Sequence, residues 1–265
     1  MVEQLIDKQR IAISFSNAAG TYDGLAEFQR QVGTDLLGYL PEQQSGPIMD
    51  LGCGTGYFTP LLRHQYPSSD LLNLDLALGM LQFAKLNRPA VNTHWLCADA
   101  EALPLGDKSI GLIYSSLAIQ WCENLTQLFT EVERILKPGG QFVFSTLGPS
   151  TLSELRYAWS EADTYVHVNQ FAEQKQIRKS IPDSLSVSEF REELKVLKYS
   201  ELKELTDELK GIGAHNMNSG QPTGLVGRDK IRKFKAAYEQ KRAGDGMLPA
   251  TYQVFYVVIE KPLEN

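Results

Sequence analysis

The sequence contains few cysteines, and none has the spacing of a metal site or a redox pair. Cys53, Cys97 and Cys122 are the only cysteines among 265 residues. Their odd number and the absence of C-x-x-C argue against a disulfide framework and a zinc site. The first residues, Met1 to Gln4, also lack the basic segment and apolar run of a signal peptide. We therefore expect a cytoplasmic protein with no bound metal.

Long apolar runs and an excess of basic residues are absent as well. The longest strongly apolar run near the end, Val254 to Ile259, is far shorter than the roughly 20 residues that cross a bilayer. The net charge is −6, whereas nucleic-acid enzymes usually carry a basic stripe that neutralises phosphates. Neither a membrane nor a nucleic acid is therefore expected as a partner. The hydrophobic fraction of 43% suffices for one globular domain, which we expect to be monomeric.

A short apolar strand that runs into a glycine-rich turn stands out between Pro47 and Gly56. Gly52 and Gly54 carry no Cβ, so a ligand can approach the backbone closely. The pattern D-L-G-x-G-x-G differs from the dinucleotide pattern G-x-G-x-x-G and places Asp50 just before the glycines. A carboxylate repels pyrophosphate but pairs with the α-ammonium of S-adenosylmethionine, which has no phosphate. The alternative is that Asp50 only braces the turn.

Strand and helix patterns alternate through the first half of the chain. Strands are predicted at 47–51, 71–75, 93–98, 109–115 and 141–146, and helices at 57–66, 78–86 and 125–136. This alternation predicts an α/β fold with a doubly wound, mostly parallel sheet. Ligands of such sheets bind outside the carboxyl ends of the strands.

Carboxylates follow two of these strands. Asp75 lies 19 positions after Gly56 and is predicted to accept hydrogen bonds from both ribose hydroxyls, although it could instead cap the next helix. Asp99, in the loop after the third strand, is predicted to accept the adenine amine, although aspartate is also a common turn former. The other candidate cofactor contacts are Gln29, Gly56, Leu76, Met80, Ala100 and Ser115.

Helical patterns precede the first strand. Apolar residues recur at steps of three and four from Asp7 to Leu40, with a predicted break near Ala19 and Gly20. Tyr22 and Gln29 can share a helix face. We expect these helices to form a lid over the cofactor and the methyl acceptor; the alternative for Tyr22 is simple packing.

The regular alternation of strand and helix patterns ends at about Pro149. Helices are predicted at 151–165, 171–181, 199–211 and 228–242, and strands at 187–199 and 251–260. We divide the chain into an amino-terminal helical lid (1–45), a cofactor-binding core (46–148), a helical cap or substrate region with one late core strand (149–250) and a final antiparallel strand (251–265).

The cofactor motifs, taken together, resemble those of the class I S-adenosylmethionine-dependent methyltransferases. The likeness covers roughly residues 46 to 146 and rests on Asp50 to Gly56, Asp75, Asp99 with Ala100, and Leu136 to Gly140. It implies a Rossmann-like sheet of seven strands, the last of them antiparallel. The two late predicted strands would complete that sheet.

Further segments resemble the malonyl-[acyl-carrier protein] O-methyltransferases of biotin synthesis. They are Ala18 to Asp23 with Gln29, Leu117 to Cys122, His167 to Phe171, Leu209 to Ala214 and Leu248 to Tyr252. The resemblance implies methyl transfer from S-adenosylmethionine to the free carboxylate of a malonyl group carried as a thioester by acyl-carrier protein. Several family members have arginine where this chain has Gln170, so a carboxylate-binding role is not carried onto that position.

The implied reaction needs no general base, because a carboxylate is already an ionised nucleophile. Rate should come from positioning and desolvation, so no catalytic histidine is expected. Tyr22 and Trp121 are assigned to positioning, although Trp121 could equally belong to the core. The candidate substrate contacts are Tyr22, Gln120, Trp121, His167 and Asn169.

A basic cluster near the end of this acidic chain is a candidate docking surface for the acidic carrier protein. Its leading members are Arg228, Lys230, Arg232 and Lys233. A solvated helix face explains the same charge pattern.

Other functions remain open. The core motifs alone also fit a methyltransferase for a small carboxylic acid or a quinone precursor. A nucleic-acid amino-methyltransferase is disfavoured because Tyr114 to Leu117 lacks the D/N-P-P-Y/F motif. A non-catalytic partner subunit that had lost the activity would be expected to have replaced glycines of the turn, and this chain retains them. The choice between carrier-protein and coenzyme A thioesters is also open.

Overall fold

The computed structural model describes residues 7–214 and 227–264. The strands are β1 Ile48–Leu51, β2 Leu71–Asp75, β3 Thr93–Cys97, β4 Ile110–Ser116, β5 Leu136–Leu147, β6 Ser186–Tyr199 and β7 Leu248–Glu260. The α-helices are α1 Lys8–Leu25, α2 Glu27–Leu37, α3 Thr59–Gln65, α4 Leu78–Asn87, α5 Leu125–Ile135, α6 Ser153–Ser160, α7 Gln174–Ser180, α8 Leu202–Gly211 and α9 Arg228–Glu239. Within these described ranges, no helix combines the length and the apolar character that a bilayer crossing needs.

The strands form one seven-stranded sheet in the order β3-β2-β1-β4-β5-β7-β6. The first five strands pair in parallel, and β7 runs antiparallel to both β5 and β6. The strand order reverses between β1 and β4, so the loops at their carboxyl ends diverge and leave a crevice. The predicted doubly wound, mostly parallel sheet with a last antiparallel strand is confirmed.

The core lies on both faces of this sheet because neighbouring side chains of a strand point to opposite faces. On one face, Leu112 and Tyr114 of β4 pack with Val32 of α2. On the other, Ile113 of β4 packs with Phe129 of α5. A hydrogen bond of 2.9 Å from the Tyr114 hydroxyl to the Gly33 carbonyl joins α2 to the sheet.

The predicted helix break near Ala19 and Gly20 is wrong, because α1 continues to Leu25. Ala19 is buried against Ala77 and Met80 of the α4 region. This packing outweighs the cost of about 1 kcal/mol that a glycine imposes on a helix. The chain leaves the helix at Ala26 instead, whose N–H donates to the Tyr22 carbonyl.

Other boundaries also differ from the predictions, most of all the start of β5 and the end of α6. The segment Leu136 to Gly140 already belongs to β5, because Leu136 is extended and pairs with Ile110. Helix α6 ends at Ser160, well before residue 165, because Asp163 accepts the Tyr165 N–H at 3.0 Å and forms a turn. Beyond this turn, His167, Val168 and Asn169 lie near Trp121.

Candidate functional site

The glycine turn lies at the carboxyl end of β1. Gly52, Gly54 and Gly56 have φ angles of +76°, +53° and +68°, a region that favours glycine. A Cβ on Gly54 would have no atom within 4 Å, whereas one on Gly56 would lie 3.1 Å from the Ala84 side chain. Gly54 therefore faces open space, whereas Gly56 packs against the protein and a Cβ on Gly52 would lie 2.3 Å from the Ala118 side chain.

A central cleft lies above the carboxyl ends of β1, β2 and β4. It encloses about 810 Å³, part of which is open to solvent. Helix α1 forms one wall through Lys8, Ile11 and Phe15. The lining contains nine of the predicted residues: Tyr22, Gly52, Gly54, Asp75, Leu76, Met80, Asp99, Ala100 and Trp121.

Asp75 connects the glycine turn to the start of α4. Its Oδ2 accepts the Gly54 N–H at 2.8 Å, and its Oδ1 accepts the Ala77 N–H at 2.7 Å. The carboxylate thus braces both segments, but it does not cap the helix as the alternative interpretation had it, because the N-cap of α4 is Ala77, which makes no side-chain cap hydrogen bond. Each carboxylate oxygen has a second lone pair, so Asp75 can still accept hydrogen bonds from a ligand in the cleft.

Asp50 and Gln29 form a recess beside the turn, together with Tyr22. Asp50 is only 2% exposed. Its Oδ2 and the Gln29 Oε1 have no hydrogen-bond partner among the described residues. Burial, together with the charge of Asp75, raises the pKa of Asp50 to about 8. Because buried acceptors normally have donors, the recess fits a cationic group that donates several hydrogen bonds.

Lys8 was not predicted from the sequence, but it closes one end of the central cleft. Its Nζ lies 2.6 Å from Asp99 Oδ2 and 2.9 Å from Glu101 Oε2. The Asp99 Oδ1 accepts the Glu101 N–H at 3.0 Å. Asp99 therefore lies at the cleft with one oxygen engaged by α1.

The other end of α1 is attached to the glycine turn through Asp23. Its two carboxylate oxygens accept the Thr55 hydroxyl and an Arg88 N–H, each at 2.6 Å. Since Arg88 also donates to the Thr55 carbonyl at 3.0 Å, these three residues form a closed network. Helix α1 is thus held across the cleft at both ends.

A second cleft, which we call the apolar cleft, continues beyond Trp121. The five predicted substrate residues, Tyr22, Gln120, Trp121, His167 and Asn169, all line it. Gln29 and Lys210 also contribute to the lining. Tyr22 and Trp121 line the central cleft as well, so the two clefts meet at these aromatic rings. The Trp121 ring contacts Phe15 of α1 edge to face, with centroids 5.4 Å apart.

His167 is held in the wall of the apolar cleft. Its Nε2 lies 2.8 Å from Asp163 Oδ1, and its ring stacks on Trp159 at 3.8 Å. Lys230 of α9 reaches the other Asp163 oxygen at 3.4 Å. His167 and the basic helix α9 are therefore joined through one carboxylate.

Ser115 lies apart from the other predicted residues. It is fully buried, and its hydroxyl donates to the Leu51 carbonyl at 2.7 Å within the sheet. The next residue, Ser116, lines the central cleft instead. Ser115 therefore supports the strand that ends at the cleft.

Arg228, Lys233 and Lys235 are exposed cations of helix α9. None of them has an ion pair within residues 7–214 and 227–264. Arg232 pairs with Asp229 at 3.2 Å.

Comparisons with known proteins agree with this architecture. A family model described as "Methyltransferase domain" matches residues 49–144. A crystal structure from Bacillus halodurans, described as a candidate methyltransferase, is similar with a TM-score of 0.61 and 16% sequence identity, over 87% of this chain and 98% of that one. At that identity, the likeness bears on the fold alone.

Two curated relatives identify the family more closely. The "Biotin biosynthesis bifunctional protein BioHC" of Cellvibrio japonicus is 46% identical over 97% of this chain, which spans only 51% of that protein. The chain therefore covers about half the length of its first matched relatives. The "Malonyl-[acyl-carrier protein] O-methyltransferase" of Methylovorus sp. is 41% identical over 97% of this chain and 90% of its own length. Because this chain and the Methylovorus protein match over nearly the whole length of each, the chain belongs to the malonyl-[acyl-carrier protein] O-methyltransferase family.

Proposed function

We propose that this protein transfers a methyl group from S-adenosylmethionine to the free carboxylate of a malonyl group carried as a thioester by acyl-carrier protein. The product is a malonyl methyl ester, which serves as the starting unit of biotin synthesis. One observation carries this proposal: the cleft beside the glycine turn and the cleft lined by the five substrate candidates meet at Tyr22 and Trp121. A methyl donor and an acceptor can therefore meet between these rings.

The central cleft fits the donor. The unpartnered oxygens of Asp50 and Gln29 suit an α-ammonium group, which donates three hydrogen bonds. The free lone pairs of Asp75 suit ribose hydroxyls, and Asp99, with Ala100, suits the adenine. When bound, S-adenosylmethionine supplies a methyl group activated by its sulfonium.

The protein's own contribution is to position the reacting groups and to exclude water. One carboxylate oxygen of the acceptor bonds to the methyl carbon while the carbon–sulfur bond breaks, and that electron pair remains on sulfur. No proton moves, and two opposite charges disappear, so an apolar surrounding favours the reaction. Phe15 and Trp121 supply that surrounding. Burial raises the pKa of Tyr22, so its hydroxyl stays protonated and can donate to the acceptor.

The remaining assignments are parts of the same proposal. Residues 1–45 form the lid, and residues 149–250 form the substrate region above the core. The protein acts as a cytoplasmic monomer; its three cysteines are unpaired, which agrees with a reducing compartment.

A methyl-transfer assay tests the function. We expect malonyl-carrier protein to show the highest kcat/KM, malonyl-coenzyme A a lower one, and free malonate a value lower by at least about tenfold, because remote binding energy is lost. Mass spectrometry should detect one added methyl group in the product. Treatment with base should remove this group, because it is held as an ester. Equal or better turnover of free acids would favour the small-acid alternative, and a base-stable carbon-bound methyl would favour the quinone-precursor alternative.

A charge reversal tests carrier docking on α9. The triple variant Arg228→Glu, Lys233→Glu and Lys235→Glu should raise KM for malonyl-carrier protein by about tenfold at low salt, because rim charges steer an acidic partner. Turnover of malonyl-N-acetylcysteamine, which has no carrier, should not change. The matched control reverses Lys85, Lys175 and Lys203 on α4, α7 and α8. Equal effects of the two triple variants at every salt concentration would exclude α9 as the docking surface.

A further inference from the structure

A polar groove adjoins the apolar cleft on the side of Trp121. It runs between the start of α5 and the segment 169–180, and Pro149 and Arg156 close it on the side of α6. The groove and the apolar cleft share four lining residues: Gln120, Trp121, Asn169 and Phe171. An acceptor beside Trp121 can therefore extend polar atoms into this groove.

Among the described residues that line this groove, Arg156 is the one with a cationic side chain. Its two terminal nitrogens donate to the Pro149 carbonyl at 3.0 Å and to the Thr151 carbonyl at 3.2 Å. A guanidinium has five N–H donors, so three are left for a ligand. The two carbonyls fix the guanidinium at the groove wall.

No carboxylate in the described part of the chain forms an ion pair with Arg156. The nearest acidic residue on its helix, Glu154, instead accepts the Thr251 N–H at 3.1 Å. Glu173, at the groove, pairs with Lys175 at 2.8 Å. Burial lowers the pKa of Arg156, and no nearby charge opposes this effect. A half-buried guanidinium without a counterion therefore faces the groove.

We propose that Arg156 binds the free carboxylate of the acyl group and orients it for methyl transfer. The proposal rests on the function proposed above, since it assigns the residue that recognises the acceptor's anionic end. The planar guanidinium matches a carboxylate in shape and donates to both of its oxygens. Lys210, the cation of the apolar cleft, is exposed and has no such fixed orientation.

Recognition of the carboxylate explains selection among acyl thioesters. An acetyl thioester has no carboxylate for Arg156, so its binding should lack the charge-assisted hydrogen bonds that a malonyl group would receive. Arg156 thus favours acyl groups with a free carboxylate over monocarboxylic acyl groups. It also holds the malonyl carboxylate in one orientation relative to Trp121.

The test measures thioester binding to the complex with S-adenosylhomocysteine, by calorimetry. The wild-type complex should bind malonyl-N-acetylcysteamine about tenfold more tightly than acetyl-N-acetylcysteamine, in line with partly exposed charge-assisted hydrogen bonds. Arg156→Gln should abolish this preference, and Arg156→Lys should restore part of it. In turnover, Arg156→Gln should raise KM for the malonyl compound about tenfold and change kcat less. The affinity for S-adenosylhomocysteine should stay within about twofold of wild type, because Arg156 lies outside the central cleft.

Three controls make the test decisive. Arg178→Gln removes an arginine that stacks on Phe190, with a distance of 4.5 Å to the ring centroid, and should keep the preference. N-acetylcysteamine thioesters carry no phosphate, so a loss seen only with coenzyme A thioesters would assign Arg156 to phosphate and overturn the proposal. A lower melting temperature of Arg156→Gln with an intact malonyl preference would also overturn it, because the role would then be structural. If the wild type methylates no malonyl thioester, the proposed function fails, whereas the binding preference still decides the role of Arg156.

Discussion

Replacing Gly54 by alanine is expected to weaken S-adenosylhomocysteine binding about hundredfold while the protein still folds. The added methyl group would meet no protein atom within 4 Å, and a left-handed alanine costs about 1–2 kcal/mol. Gly54 lines the central cleft, so the methyl group would enter the space that the ligand needs. A clash between the methyl group and the ligand would prevent the close approach of the ligand to the backbone. The hundredfold effect corresponds to a loss of about 2.7 kcal/mol in binding free energy.

Gly246→Ala is the matched control for this experiment. Gly246 has a φ of +81° and open space around its Cβ position, but it lies in the connection between α9 and β7. Both variants should therefore lower the melting temperature by similar amounts, and only Gly54→Ala should lose ligand affinity in calorimetry. Gly52→Ala is less informative, because its Cβ would lie 2.3 Å from the Ala118 side chain and disturb the protein itself. If Gly54→Ala binds S-adenosylhomocysteine like the wild type, the turn is not the floor of the cofactor site.

The parallel core could be predicted from the sequence because its strands are short, apolar and bounded by turns. Strand β2 has the predicted bounds, Leu71–Asp75, and the late strand β6 was found despite an ambiguous period. The end of α1 could not be predicted. Gly20 is a visible helix breaker, whereas the actual break at Ala26 has no distinctive residue. Packing of Ala19 against α4 decides between them, and such packing is not visible in a local pattern.

The site shows the same division between local pattern and long-range contact. Most of the predicted residues that line the central cleft lie at or just after the end of a strand, so the strand ends located them; Tyr22 lies on α1 and Met80 on α4. Ser115 shows the limit: β4 runs to Ser116, and a shift of one residue exchanges the two faces of a strand. Lys8 and Arg156 carried no local signal. Lys8 meets Asp99 across 91 positions, and the orientation of Arg156 depends on carbonyls of an irregular loop.

Asp50→Asn is expected to reduce S-adenosylhomocysteine affinity about hundredfold at pH 8. The proposed pair between the Asp50 carboxylate and the ligand's ammonium lies in a recess where Asp50 is 2% exposed, and truncating one partner of a buried charge pair costs about 2–5 kcal/mol. Wild-type binding should also release close to one proton at pH 6 and about half a proton at pH 8, because the ammonium requires the ionised carboxylate and the pKa of Asp50 without ligand is about 8. Calorimetry in buffers of different ionisation enthalpy measures this release. Asp183→Asn, at an exposed position, should change neither quantity.

The same substitution should stabilise the ligand-free protein at alkaline pH. The pKa of Asp50 rises from its ordinary 3.8 to about 8 on folding, so between these values the unfolded chain is ionised while the folded protein keeps its proton. Each pH unit in this window therefore lowers the free energy of unfolding by up to about 1.4 kcal/mol. The pKa of Asp75 is also raised, so the free energy of unfolding of Asp50→Asn should still fall as the pH rises. This fall should be less steep than in the wild type. Thermal unfolding should show Asp50→Asn to be more stable than wild type at pH 8, and this difference should shrink towards pH 5. Asp50→Asn could instead prove less stable than wild type at pH 8, or bind S-adenosylhomocysteine as tightly as wild type. Either result would show that Asp50 braces the turn and does not bind the ligand's ammonium group.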